Sequence, residues 1–91
     1  MKPVRFRARA LENINAQIEY LLDHALHSVA PFKEDIRKTI SLIREFPDAG
    51  RPGEVPGTRE IISTKFRVIA VYVVHEEWLE VLRVYFRGQE R

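Results

Sequence analysis

The chain contains no cysteine. Disulfides therefore play no part in its stability and thiolates none in its chemistry, as suits a reducing compartment. Long apolar runs are missing too, and the longest, Val68 to Val74, is too short to cross a bilayer. The opening Met1-Lys2-Pro3-Val4-Arg5-Phe6-Arg7 has positive charge but no apolar stretch behind it, so it does not read as a secretory signal. A cytoplasmic protein with no membrane partner is expected. Glycine-rich GxGxxG turns, P-loops and GxSxG elbows are absent, which leaves nucleotide binding and serine hydrolysis unsupported. His24 and His27 could share a helical face, but no third ligand has readable spacing and His75 belongs to another element, so no metal and no cofactor are expected. Glu76 and Glu77 fall in a turn where neighbouring side chains diverge, a poor geometry for paired acid–base work.

What is present describes one folded domain over residues 1–91, with 45% apolar and 31% charged residues. A chain of 91 residues closes one modest core. The net charge of +2 is mild. Its distribution says more: Asp23, Glu34, Asp35 and Glu45 lie in the first half, whereas Arg83, Arg87 and Arg91 crowd the end against Glu90 alone. That asymmetry suits an acidic or nucleic-acid partner near the C-terminal strand, and equally suits a solvated basic tail.

Hydrophobic periodicity supplies the elements. Residues 3–9 alternate as a half-buried strand does, with Val4, Phe6 and Ala8 on one face and Arg5, Arg7 and Arg9 on the other. From Leu11 the spacing becomes helical through Ile14, Ile18, Leu21, Leu22 and Ala25, ending near His27. Ser28 reads as the cap of a second helix with the stripe Val29, Phe32, Ile36, Ile40, Ile43 and Phe46. Pro31 is tolerated only in the first turn of that helix, and Pro47 stops it. A link this short folds the two helices into an antiparallel hairpin. Residues 47–57 hold three of the five prolines and three of the four glycines, a turn-rich loop. Strands follow at 58–63, 66–75 and 79–87, joined by connections short enough for antiparallel hairpins. The class is α+β in the order β-α-α-β-β-β, with the hairpin on one face of a small antiparallel sheet.

Strict alternation along the last strand places Leu82, Val84 and Phe86 on the helix-packed face and Val81, Arg83, Tyr85 and Arg87 on the other. On the middle strand Phe66, Val68, Ala70, Tyr72 and Val74 turn inward, and Arg67, Ile69, Val71 and Val73 turn outward. The uncovered face then joins an exposed aliphatic patch of Ile69, Val71 and Val73 to Arg67, Arg83, Tyr85 and Arg87, and such a patch asks for a partner. Arg59, Arg67, Arg83, Tyr85 and Arg87 are the candidate target-binding set, since arginines on one face hold phosphates bidentately and a tyrosine can move a proton. A merely solvated face is the alternative reading. Trp78, at a strand start, reads as a core-edge or interface residue.

Several segments in order carry a resemblance: the corner Phe46-Pro47-Asp48-Ala49-Gly50-Arg51-Pro52, then Gly57-Thr58-Arg59-Glu60, Phe66-Arg67-Val68-Ile69-Ala70-Val71-Tyr72 and Val81-Leu82-Arg83-Val84-Tyr85. Essentially end to end, the chain resembles the RelE/ParE superfamily of toxins from type II toxin–antitoxin modules, the plasmid-stabilisation proteins. The resemblance implies two helices on one face of the sheet and an antitoxin that neutralises the toxin by wrapping it in a hetero-oligomer; the alternation along the strands makes Ile69, Val71, Val73, Arg83 and Arg87 the surface that antitoxin is expected to cover. Gly50-Arg51-Pro52 and Arg59-Glu60 look ParE-like, which implies a non-enzymatic inhibitor of DNA gyrase. The RelE-like alternative is a metal-independent ribonuclease cutting mRNA in the ribosome, with Arg67 and Arg87 at basic positions of that pattern and Tyr85 replacing the later tyrosine. A third reading is a non-toxic homologue that only binds antitoxin. The chain departs from many ParE-like sequences in having Phe66 for a tyrosine and Phe86-Arg87-Gly88 for His-Gly-Arg.

Overall fold

Two helices lie on one face of a five-stranded sheet in the computed structural model, which describes residues 1–86. In chain order these are β1 (Val4–Phe6), α1 (Ala8–His24), a 3-10 turn at Leu26–Ser28, α2 (Val29–Glu45), a 3-10 turn at Pro47–Ala49, β2 (Arg51–Pro52), β3 (Arg59–Ile62), β4 (Val68–Val74) and β5 (Leu79–Phe86). The strand order is β1-β5-β4-β3-β2. The α+β class and the element order agree with the periodicity. Pro31 sits in the first turn of α2, and the helix ends just before Phe46-Pro47. Ser28 makes no capping hydrogen bond, because the 3-10 turn that ends on it leads straight into α2.

The sheet is mixed rather than wholly antiparallel. β1 pairs in parallel with β5, Val4 opposite Leu79 and Phe6 opposite Val81. A parallel pair needs a crossover, and here everything between the first strand and the last supplies it. β1 also stops at Phe6, where the chain turns directly into α1. β2, a short pairing of Arg51 and Pro52 with β3, edges the other side.

A bulge corrects the alternation read along the last strand. Val71 stands opposite Arg83 and Tyr72 opposite Val81, so Leu82 is extra. An extra residue flips the facing of everything before it. Val81 is accordingly in the helix-packed core, fully buried, while Leu82 packs against the cluster on the other face beside Arg83. Val84 and Phe86 keep their expected inward facing.

Phe32, Ile43, Val68, Tyr72, Leu79 and Val81 are the large side chains almost wholly removed from water between helices and sheet. Phe32 anchors them, meeting Phe66 edge-on at 5.5 Å and Phe86 nearly face-on at 6.4 Å. On α2 the stripe centres on Ile43, and Ile40 is only partly buried. The opposite sheet face carries a smaller cluster of Ile69, Val71 and Tyr85, with Ile62 and Leu82 at its margin.

Two polar ties connect helix, corner and sheet. The buried Tyr72 hydroxyl donates to the Pro47 carbonyl at 2.7 Å and accepts from the Gly50 N–H at 2.9 Å. Burial pushes its pKa up, so it stays protonated as the donor this bridge needs. Gly50 is required by this approach, because a Cβ there would lie 2.6 Å from the Tyr72 oxygen and 2.8 Å from the Glu60 carbonyl. The second tie is Asp35 of α2, buried, whose two oxygens accept from the amides of Lys65 at 3.1 Å and Phe66 at 2.8 Å. These amides belong to the β3–β4 turn, where Arg67 adopts a left-handed φ of 60°. Burial alone would raise the Asp35 pKa, but hydrogen bonds from the Ser63 hydroxyl and the Phe66 and Lys65 amides, with the Lys65 charge, hold it below the ordinary value of 3.8.

Truncation of Ile43 to alanine is expected to cost about 2–5 kcal/mol in chemical unfolding, the range for a large aliphatic side chain removed from a packed site. Asp35 gives the fold an acid limb. Because its folded pKa is depressed, its stabilisation is complete above the unfolded value and disappears as pH falls through the lower folded value. Unfolding free energy measured from neutral pH downward should therefore decline below about pH 4. Asp35→Asn should flatten that part of the profile, at a neutral-pH cost of about 1–3 kcal/mol for the amide left unpaired.

Candidate functional site

Alternation about the bulge decides which candidate residues meet. Arg83 and Tyr85 lie together on the face away from the helices, the Arg83 guanidinium 4.8 Å from the centre of the Tyr85 ring. Arg59 does not join them. It shares its side of β3 with the core residue Ile61, donates to the Gly50 carbonyl at 2.7 Å and pairs with Asp48 at 3.4 Å. It serves the corner, because the backbone there presents a carbonyl that needs a donor. Arg67 is exposed in the β3–β4 turn, outside the strand ladder. Arg87 lies outside the described residues.

The expected aliphatic patch is also different in kind. Ile69 is 2% exposed and Val71 9%, both closed over by the small cluster with Tyr85, while Val73 is half-buried. A two-layer protein would leave these residues in water. Here they form a buried cluster with Tyr85, with Ile62 and Leu82 packed at its margin, so this is not bare aliphatic surface.

At the other end of this face a polar network brings distant residues together. Glu80 of β5 accepts from Arg7 Nε at 2.8 Å and lies 2.9 Å from His75 Nε2. These two partners hold its carboxyl below the usual range, Arg7 more strongly than His75. Arg5 stands 4.6 Å over the Trp78 ring, which packs against His75 at 4.6 Å, and Lys2 donates to the His75 carbonyl at 2.8 Å. Sequence reasoning missed this network. The only available signal was the outward facing of Arg5 and Arg7, which says nothing of a partner some seventy residues along the chain. On β3, Glu60 is buried and takes Arg51 Nη2 at 3.2 Å.

Among the described residues no three His, Asp or Glu side chains group as metal ligands, and no helix is long and apolar enough to cross a membrane. The arrangement is suited to binding: a rigid sheet face, a polar network at one end and a cation over an aromatic ring in the middle.

Comparison with known proteins places this geometry. The family model described as the ParE toxin of the type II toxin–antitoxin system parDE matches residues 4–91. A protein of Sinorhizobium fredii named "Putative toxin Y4kP" is 26% identical over 93 residues, covering 89% of this chain and 97% of that protein. Among solved structures, the chromosomal ParDE system of P. aeruginosa superposes with a TM-score of 0.84 at 20% identity, over 94% of this chain and 96% of that one. The intact RelBE toxin–antitoxin complex of E. coli superposes with a TM-score of 0.67 at 18% identity, over 98% and 100%. At these identities the superpositions speak for the fold, and the family match over nearly the whole sequence speaks for descent: the chain belongs to the ParE toxin family of type II toxin–antitoxin systems.

Proposed function

We propose that this chain is a toxin held in check by a protein antitoxin and that its target is DNA gyrase, which it inhibits by binding rather than by catalysis. The observation that carries the choice of target is the fate of the basic and aromatic set. A ribonuclease acting in the ribosome needs its arginines and a proton-moving tyrosine presented together to RNA. Tyr85, the tyrosine available for that role, is 6% exposed and packed with Ile69 and Val71. Arg59 is spent on the Gly50 carbonyl and Asp48, and Arg67 stands apart in its turn. A binding inhibitor needs no such convergence, only a firm surface. The family model, which describes a ParE toxin, and the higher TM-score with the ParDE system than with RelBE support the same branch. Antitoxin partnership is supported by those two systems, each of which pairs a toxin with an antitoxin in its description.

The purified protein should inhibit gyrase supercoiling of relaxed plasmid and leave mRNA intact in a translating ribosome assay run in parallel. Cleavage of ribosome-bound mRNA with normal supercoiling would reject the gyrase assignment in favour of a RelE-like ribonuclease. Inactivity in both assays, with antitoxin binding retained, would mark a homologue that has lost toxicity.

A further inference from the structure

Before Glu12 the chain carries four bases and no acid: Lys2, Arg5, Arg7 and Arg9. Arg7 is neutralised by Glu80. The other three are not, and Arg44 of α2 joins them, its Nε within 3.4 Å of the Lys2 carbonyl. No ion pair of the described residues includes Lys2, Arg5, Arg9 or Arg44. Glu76 and Glu77, exposed in the turn before Trp78, pair with none of the four.

Two of these cations are held in place without losing their charge. Val4 and Phe6 pack into the core, which turns Arg5 outward to stand over the Trp78 ring. A ring positions a guanidinium and leaves its charge and its N–H donors available. Lys2 spends one N–H on the His75 carbonyl, and an ammonium has two more. Arg9 is exposed in the first turn of α1, which contains no acid. A base is disfavoured there, because the helix dipole puts partial positive charge at that end and favours Asp or Glu. Stability of the free protein therefore gives no reason for Arg9.

A polyanion complements such a rim, and the aromatic chemistry selects which kind. Single strands are bound by stacking their bases on open aromatic faces. The ring of Trp78 is covered by Arg5 and packed against His75 at 4.6 Å, so the rim offers cations without a stacking platform. That equipment suits a duplex, held through its phosphates and without regard to sequence.

We propose that Lys2, Arg5, Arg9 and Arg44 form a docking surface for the phosphate backbone of duplex DNA, by which the toxin grips the DNA held by its target. This rests on the gyrase reading, which puts duplex DNA in the target complex. A hold on the DNA adds to the hold on the enzyme, and two contacts with one complex give more affinity than either alone.

The test is fluorescence anisotropy of a short labelled DNA duplex of random sequence, titrated with the full-length protein at a series of salt concentrations, alongside thermal unfolding of each variant and the supercoiling assay. Four phosphate contacts give a slope of log K against log salt of about −3.6, and the Arg5→Gln, Arg9→Gln double variant should reach about −1.8. Arg5→Lys keeps the charge and should keep the parent slope. Arg9→Gln alone should melt at or above the parent temperature. An unchanged slope in the double variant overturns the proposal, since the DNA would then be held elsewhere. Tighter binding to a single strand or to duplex RNA of the same length overturns it too, as does weaker binding that tracks a lower melting temperature. A parent that inhibits gyrase without binding the duplex overturns the proposal and leaves the gyrase reading intact. A parent that binds the duplex but leaves supercoiling untouched overturns the gyrase reading and, with it, the assignment of this DNA to the target complex.

Discussion

The hydroxyl of Tyr72 is the point on which the rest of the structure hangs. It is buried at the centre of β4, yet it reaches the end of α2 and the start of β2 by bridging the Pro47 carbonyl and the Gly50 N–H. One group opens the 3-10 turn Pro47–Ala49 and the other follows it, and burial unpaired would cost about 1–3 kcal/mol apiece. Once the bridge is made, Gly50 must stay a glycine, its carbonyl is free to take Arg59, and Arg51 falls into register with Glu60 on β3. The motif around Pro47 is thus a helix stop, a turn and an edge strand soldered by one phenol. Asp35 does the same for the opposite end of β3, tying α2 to the turn that starts β4.

With the corner and the turn held, the sheet becomes a rigid plate whose two faces have different chemistry. The helix side is a conventional aromatic and aliphatic core around Phe32 and Tyr72. On the other side Ile69, Val71 and Tyr85 form a small buried cluster, and the bulge after Val81 brings Leu82 to its margin. The Arg83 Nε is removed from water there and, among the described residues, has no acceptor.

Much of the fold was legible in the sequence, for identifiable reasons. Both helices announce themselves through stripes at spacings of three and four, and Pro31 and Pro47 bound the second closely. The features that escaped are those in which two local readings are degenerate. Val81 and Leu82 are both aliphatic, so no pattern reveals which residue is extra, and the facing of β5 could be read correctly only from Arg83 onward. A three-residue strand carries no mark of its direction, which hid the parallel pairing of β1. Tyr72 looked like one more inward aromatic, and Arg59 like one more surface base, because the partners of both are backbone atoms of the corner. The family resemblance was readable from those same corner residues, although their physical role was not.

The central claim is that one hydroxyl holds the corner to the sheet, and amide hydrogen exchange at Gly50 tests it most directly. In the parent the Gly50 amide should exchange slowly, since its acceptor is buried. In Tyr72→Phe that amide should lose most of its protection while amides in the middle of α2 keep theirs, the mark of a corner released locally from an otherwise folded protein. Gly50 exchange as slow in the variant as in the parent would show that the corner is held by something else and would contradict the account.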